Sequence, residues 1–355
     1  MKVHNFNAGP AILPESVLQQ AAQAAIEFNG IGMSILEISH RSKEFQAVMD
    51  EAVALVKDIA GLNDDYKVLF LGGGASTQFG MIPMNLLDSN DTAGYSNTGT
   101  WAKKAQKEAK LFGNVSELAT SEPDMYTHIP KGYNIPDTLK YFHITSNNTI
   151  YGSQYHQFPK SPVPYIIDMS SDMFSRQLDY SQFDLIYAGA QKNIGPAGVT
   201  MVIIKESLLG KVNRQIPTMM DYRTHIKEGS MFNTPPVFPI YVTMLTLRWI
   251  KERGLAKIEA DNKAKADLLY SAIDNNPLFK GTVAKEDRSW MNVNFIMENR
   301  EWEPEFLQFA KENKCVGLAG HRSVGGMRAS IYNAMGIDSV QFLVDLMDEF
   351  AKRKA

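Results

Sequence analysis

The stretch that decides the fold runs from residue 186 to residue 204 and reads IYAGAQKNIGPAGVTMVII. Two apolar runs typical of buried strands flank a polar segment that has glycines at positions 189, 195 and 198. Lys192 lies in this segment, where two core strands should meet. Because lysine is almost never fully buried without a partner or a task, its position needs a reason.

Two interpretations of Lys192 are open from its neighbours alone. A desolvated lysine has a lowered pKa and becomes an amine nucleophile that can form a Schiff base with an aldehyde. The more common case is a loop lysine whose amine reaches solvent. Lys192 therefore points to a function only if other residues support it.

Composition narrows the class of protein. The 355 residues are 44% hydrophobic and 21% charged, which is typical of a soluble globular chain with two unequal domains. The net charge is −3, and the charged residues are scattered along the chain. We therefore expect small-molecule partners and neither nucleic acid nor a membrane. The single cysteine, Cys315, excludes an intrachain disulfide and a multi-cysteine metal site. No export signal and no apolar membrane span are found, so a cytoplasmic location is predicted. No metal site is predicted.

Short apolar runs alternate with helical patterns along the chain. Helices are predicted at residues 14–28, 45–59 and 78–87, and strands at 66–71, 141–147, 163–171, 184–190 and 198–204. Near-continuous hydrophobicity favours a mostly parallel sheet covered on both faces, although the last two strands could be antiparallel. After helices at 240–253 and 255–272, a strand–helix–strand–helix pattern indicates an α+β unit.

Three further features bear on Lys192. Asp168 ends the apolar run PYIID, where α/β sheets bind ligands; it could face a protonated pyridine nitrogen or simply cap the next segment. The GGGAST segment at 72–77 joins a strand to a helix and suits a phosphate, with a tight turn as the alternative. The arginines in HRS (40–42) and in GHRSVGGMRAS (320–330) suit anions better than a plain surface role. Together these are the parts of a pyridoxal-phosphate enzyme acting on an anionic amino acid.

Several segments resemble the phosphoserine aminotransferase family, within the fold-type I, class-V aminotransferases. They are NAGPAILP, ISHRS, IDMSSD, AGAQKNIGPAGVT, GSMFNTPP and GHRSVGGMRASIYNAM, and the resemblance runs from Asn5 to the C-terminal helix. It implies an α/β fold with a large domain at residues 15–254 and a small α+β domain formed by 1–14 and 255–355. It also implies a homodimer with its active sites at the subunit interface.

The resemblance assigns a role to each matching residue. Lys192 would form the Schiff base with pyridoxal phosphate and carry a proton, while Asp168 would keep the pyridine nitrogen protonated. The other predicted cofactor contacts are Trp101 stacking on the ring, Ala75, Ser76 and Gln191 at the phosphate, Thr149 at the sheet edge, and Asn233 and Thr234 from the other subunit. The predicted substrate contacts are Arg328 at the α-carboxylate, and His321 and Arg322 with His40 and Arg41 of the other subunit at the distal anion. Ser76 stands where other family members have an arginine, so cofactor affinity could differ.

The reaction implied is reversible amino transfer between L-glutamate and 3-phosphohydroxypyruvate, giving phosphoserine and 2-oxoglutarate in serine biosynthesis. The rivals are an alanine:glyoxylate aminotransferase, a cysteine desulfurase and a non-catalytic protein with the same fold. A desulfurase needs a cysteine in a mobile loop, whereas Cys315 follows a predicted helix and is better explained as a buried structural thiol. A dinucleotide-dependent dehydrogenase lacks its glycine fingerprint.

Overall fold

The computed structural model describes residues 3–354. The helices are α1 (Glu15–Ile26), α2 (Lys43–Ala60), α3 (Gly74–Leu86), α4 (Thr100–Ala109), α5 (Tyr222–Lys227), α6 (Val237–Arg253), α7 (Leu255–Asn275), α8 (Glu303–Glu312) and α9 (Ile337–Lys354). The strands are β1 (His4–Asn5), β2 (Tyr66–Leu71), β3 (Thr92–Asn97), β4 (Asn114–Thr120), β5 (Phe142–Thr145), β6 (Tyr165–Asp168), β7 (Leu185–Gly189), β8 (Thr200–Lys205), β9 (Phe279–Gly281), β10 (Asn292–Met297), β11 (Cys315–Val316) and β12 (Met327–Ser330).

The central sheet has seven strands in the order β2-β8-β7-β6-β5-β3-β4. Only β8 runs against its neighbours, pairing antiparallel with both β2 and β7. The predicted mostly parallel sheet is therefore confirmed, and the open alternative for the last two strands is settled as antiparallel. The reason is length, because the loop between β7 and β8 is shorter than the dozen or more residues that a parallel crossover needs.

Helices cover both faces of this sheet. Along β7, Ile186 and Ala188 pack in the core that contains residues of α1, α2 and α6, whereas Leu185 and Tyr187 pack in the core that contains residues of α3 and α4. Alternate strand residues point to opposite faces, so a strand buried on both faces must be apolar at every position. This explains the continuous apolar runs in the sequence.

A second, separate core lies in the C-terminal part of the chain. It is built on the antiparallel sheet β12-β10-β9, against which α7, α8 and α9 pack through residues such as Leu269, Phe306 and Phe350. The N-terminal strand β1 pairs with β11, and Phe6 is buried in this core. The predicted domain boundaries stay a prediction. Helix α7 touches both cores, since Ile258 belongs to the first and Leu269 to the second.

Local differences from the predicted elements have identifiable causes. Helix α3 begins at Gly74 and not at residue 78, because Gly73 adopts a left-handed conformation (φ 90°) that lets the helix begin within the glycine run. Strands β3 and β4 and helix α4 were not predicted, since β4 is a partly exposed edge strand and α4 is strongly polar. Among residues 3–354, no helix has the length and apolarity that crossing a membrane would require.

Candidate active site

A cavity lies where the carboxyl ends of β2, β3, β5, β6 and β7 meet at one edge of the sheet. This is the place where α/β sheets bind ligands. The predicted residues that line it, around Lys192, are Ala75, Ser76, Trp101, Thr149, Asp168 and Gln191. Parallel strand ends therefore gather side chains that are far apart in the sequence.

Lys192 follows β7 in the loop that leads to β8. Its Nζ donates a hydrogen bond to Thr149 Oγ1 at 2.7 Å. Burial of the amine lowers its pKa to about 8, the Asp168 charge opposes this shift, and the nearby Arg328 guanidinium adds to it. With a pKa of about 8, roughly a tenth of the amine is uncharged at pH 7, far more than for an ordinary lysine, and this fraction can act as a nucleophile or a proton acceptor.

Asp168 is the last residue of β6 and is only 4% exposed. Its Oδ1 accepts a hydrogen bond from the Ser170 backbone N–H at 2.9 Å. Burial raises the pKa of Asp168, while the Ser170 hydrogen bonds and the Lys192 charge hold it down. Asp168 therefore both caps the next segment and lines the cavity. A cationic ring nitrogen would stabilise the charge of this buried carboxylate.

The N-terminus of α3 forms one end of the cavity. Gly74, Ala75 and Ser76 are the first residues of this helix, whose opening N–H groups have no partner within the helix. The Thr77 hydroxyl donates to the Gly73 carbonyl at 2.9 Å, and Thr77 does not line the cavity. Free N–H groups and the positive end of the helix dipole are suited to a phosphate.

Two buried polar atoms of the cavity residues lack a partner. Trp101 Nε1 and Thr145 Oγ1 make no hydrogen bond with any residue in the described range 3–354. Buried polar groups are normally satisfied, so unpaired ones at a cavity indicate a polar ligand. With an amine, a buried carboxylate and a phosphate-binding helix end, this cavity matches the aldehyde, ring nitrogen and phosphate of pyridoxal phosphate.

A cluster of cations adjoins the cavity. Arg328, on β12, donates from a guanidinium nitrogen to the Thr149 carbonyl at 3.2 Å, and its buried Nε has no partner within residues 3–354. The pKa of His321 is lowered by burial and then by the charges of Arg328, Arg322 and Lys104. Arg328 thus joins this group to the Lys192 cavity through Thr149, and His321 lies within electrostatic range of Arg328, Arg322 and Lys104.

Seven predicted residues are absent from the lining of the Lys192 cavity of their own chain. Three of them, Arg328, Arg322 and His321, form the cluster described above; the other four are Asn233, Thr234, His40 and Arg41. Asn233 and Thr234 are exposed and line a different cavity, together with Gly72 and Gly73. His40 and Arg41 lie just before α2 and are absent from the cavity lining. The roles predicted for them, in the site of another subunit, stay a prediction.

Some cavity residues were missed from the sequence. Thr145, Asn147, Ser170 and Ser171 all line the cavity, and each lies at or just beyond the end of β5 or β6. Their position after an apolar run is a signal that could have found them. Lys104 does not line the cavity, but its Nζ lies 4.6 Å from the Trp101 ring centroid, and no sequence signal pointed to this contact.

Comparison with known proteins identifies the family of this chain. Residues 3–343 match the model of the aminotransferase class-V family. The chain therefore belongs to the class-V aminotransferases. Within that family it groups with the phosphoserine aminotransferases: it is 58% identical to the phosphoserine aminotransferase of Phocaeicola vulgatus, covering 99% of both chains. It is also 58% identical to that of Flavobacterium johnsoniae, covering 98% of both chains.

Solved structures give the same result. The phosphoserine aminotransferase from Bacillus circulans subsp. alkalophilus superposes with a TM-score of 0.97 at 47% identity, covering 100% of this chain and 99% of that one. A pyridoxal-phosphate-bound phosphoserine aminotransferase from Trichomonas vaginalis has a TM-score of 0.93 at 38% identity, covering 98% and 100%. The predicted family and α/β fold are confirmed.

Proposed function

We propose that this chain transfers an amino group reversibly between L-glutamate and 3-phosphohydroxypyruvate, giving phosphoserine and 2-oxoglutarate. The observation that carries the proposal is the Arg328 guanidinium hydrogen-bonded to Thr149 of the Lys192 cavity, with Arg322 and His321 close enough to interact electrostatically. The two amino donors are glutamate in one direction and phosphoserine in the other. Both have an α-carboxylate and a distal anion, so one positive surface can accept either in turn. The two relatives at 58% identity are named phosphoserine aminotransferases, and phosphoserine is one of the two amino donors in this reaction.

Pyridoxal phosphate is the cofactor in this proposal, and when bound it supplies an aldehyde that reacts with amines and a ring that accepts electrons. The α3 N-terminus and Gln191 would hold its phosphate, and Trp101 would cover its ring. Asp168 would face its ring nitrogen, where the carboxylate favours the protonated form.

Lys192 provides the reactive amine and afterwards holds the transferred proton. Its pKa of about 8 means that the amine can both accept and release a proton close to neutral pH. Thr149 accepts a hydrogen bond from Nζ, and its carbonyl accepts one from Arg328. Thr149 thus connects the amine to the residue proposed to bind the substrate α-carboxylate.

Arg328 would bind the α-carboxylate through its guanidinium, whose Nε is unpaired within the described part of the chain. Arg322 and His321 would bind the distal carboxylate of glutamate or the phosphate of phosphoserine. A homodimer would complete this surface with His40 and Arg41 of the second subunit, and its Asn233 and Thr234 would reach the cofactor phosphate. We further propose that the enzyme works in the cytoplasm and serves serine biosynthesis.

The test is the formation of 2-oxoglutarate from L-glutamate and 3-phosphohydroxypyruvate by the purified protein. We expect Arg322→Ala to raise KM for glutamate and for phosphoserine, by about tenfold or more, because a charge-assisted contact to both is lost. An enzyme that used alanine and glyoxylate in preference, or an Arg322→Ala variant with unchanged KM for both amino donors, would contradict the proposal.

A further inference from the structure

Lys265, on α7, is a buried lysine outside the Lys192 cavity. Its side chain is 1% exposed, and its Nζ donates to the carbonyls of Ile331 at 2.9 Å and of Tyr332 at 2.7 Å. Burial lowers its pKa to about 7; the charge of Asp261 opposes this and that of Arg253 adds to it. Across residues 3–354, no carboxylate lies within ion-pair distance of Lys265. A buried ammonium without a carboxylate partner is costly, so the contact of Lys265 with these two carbonyls points to a role for this lysine.

The carbonyls belong to residues 331–333, a segment that directly follows β12, the strand that contains Arg328. One turn before Lys265 on the same helix, Asn262 donates from Nδ2 to Asn333 Oδ1 at 2.7 Å. Helix α7 therefore holds this segment at both ends, through Lys265 and Asn262. Residues three apart on a helix share a face, so the two contacts act together.

The same segment is also tied to the neighbourhood of Lys192. The Asn333 backbone N–H donates to Oδ1 of Asn193, the residue after Lys192, at 3.1 Å. The Tyr332 hydroxyl donates to the Ala8 carbonyl at 2.7 Å. A few residues further along, the Ala11 N–H donates to the Gln191 carbonyl at 2.9 Å. Segment 331–333 thus lies between the strand of Arg328 and the loop of Lys192.

Helix α7 contacts both cores of the molecule, so its contacts with segment 331–333 bear on how the two cores are placed. The helix spans the two cores of the molecule, with Ile258 in one and Leu269 in the other, and Lys265 lies between them in sequence. Arg328 belongs to the second core's sheet, whereas Lys192 follows a strand of the central sheet. Their relative placement depends on groups that join the two parts.

We propose that Lys265 is a positioning residue that, by holding segment 331–333 on α7, sets the placement of the Arg328 guanidinium relative to the Lys192 amine. This inference rests on the proposed function, in which Arg328 binds the substrate α-carboxylate. The α-carboxylate is common to glutamate and phosphoserine. Lys265 thereby controls the affinity for both amino donors without touching either of them.

A lysine that only stabilises the fold would behave differently. Its removal would lower the melting temperature and leave KM unchanged in the folded fraction. A positioning residue changes substrate affinity at temperatures where the protein is fully folded. KM and equilibrium binding therefore separate the two roles, whereas a stability measurement alone does not.

The experiment compares Lys265→Met with Lys263→Met in the full-length protein saturated with pyridoxal phosphate. Methionine keeps the length of the side chain and removes its charge and its donors. Lys263 is the matched control, because it lies on the same helix but is exposed, and within residues 3–354 its one ion pair is with Asp267. KM and kcat are measured for glutamate and phosphoserine, and glutarate binding, which needs no reaction, is measured by calorimetry.

We expect Lys265→Met to raise both KM values and the glutarate Kd by a common factor of about five to ten, consistent with a small displacement of a binding group. kcat should fall less, and the visible absorbance of the bound cofactor should stay as in the parent protein. Lys263→Met should leave every value unchanged. Unchanged KM and Kd in folded Lys265→Met protein would overturn the proposal.

Asn262→Ala provides a second variant that loosens the same segment from its other end, in case Lys265→Met does not fold. It should raise the same two KM values and the glutarate Kd; unchanged values would again overturn the proposal. The proposed function is tested separately by the parent protein. A parent that does not transaminate phosphoserine refutes the function, whereas an active parent with unaffected variants refutes only the inference about Lys265.

Discussion

At the scale of single residues, two lysines show how surroundings set chemistry. Burial lowers the pKa of both, to about 8 for Lys192 and about 7 for Lys265. Lys192 faces a cavity and a carboxylate, Asp168, so its free amine can react. Lys265 is buried and donates to two backbone carbonyls, so its amine contacts backbone and no cavity of the Lys192 site. The same side chain therefore has different roles because of what it contacts.

The pKa of Lys192 predicts how cofactor uptake depends on pH. Only the uncharged amine attacks an aldehyde, so the rate at which apo protein gains the visible cofactor band should rise with pH, with a midpoint at about 8. Borohydride reduction followed by peptide mapping should locate the label on Lys192. Lys192→Ala is the control and should gain no band. A midpoint close to the ordinary lysine value of 10.5 would show that the amine is not desolvated.

At the scale of elements, the start of α3 is set by glycine. Gly73 has φ 90°, and a Cβ added there would lie 2.1 Å from Thr77 Oγ1 and 2.9 Å from Thr77 Cβ. Any other residue must therefore both strain the backbone and displace Thr77. Because the opening N–H groups of α3 point to the proposed phosphate position, a shift of this turn affects ligand binding as well as folding.

We therefore expect Gly73→Ala to lower the free energy of unfolding by about 1–3 kcal/mol and to weaken pyridoxal-phosphate binding. Gly80→Ala is the matched control, because Gly80 lies within α3 and an added Cβ meets no atom within 4 Å. That change should be neutral or stabilising by up to about 1 kcal/mol. Thermal unfolding and cofactor titration of both variants are the measurements. Equal cofactor affinities would mean that this turn does not position the phosphate.

At the scale of the whole molecule, the cations predicted for the distal anion lie in separate places. His321 is close to Arg328 and Arg322, whereas His40 and Arg41 precede α2 and lie outside the lining of the Lys192 cavity. His40 Nε2 is buried and has no partner among residues 3–354. The proposal that His40 and Arg41 serve the site of the second subunit is a statement about the assembled dimer, and it needs a test that involves both subunits.

Subunit mixing tests the sharing directly. At substrate concentrations well below KM, Lys192→Ala should be inactive alone and Arg41→Ala about tenfold less active than the parent, because each lacks one part of every site. If Arg41 serves the site of the other subunit, a mixed dimer contains one complete site. After equal amounts are unfolded and refolded together, about half of the dimers are mixed, so activity should return to about a quarter of the parent value. No recovery, despite mixed dimers seen by mass spectrometry, would place Arg41 in its own subunit's site.

The sequence by itself determined the family, the α/β class and the cofactor, and these three predictions are confirmed. The reason is that buried parallel strands need continuous apolar runs, and the residues just after them, such as Asp168 and Lys192, must meet at one sheet edge. The individual roles of the site residues stay predictions.

Only the tertiary structure decided the antiparallel position of β8, the cavity residues Thr145 and Asn147, and the contacts of Lys265. Lys265 meets carbonyls 66 and 67 residues further along the chain, and no local pattern encodes such a meeting. Periodicity and turn chemistry report on neighbours in sequence. What a buried polar side chain contacts is decided by how distant elements pack, because burial requires each such group to find a partner wherever the fold places one.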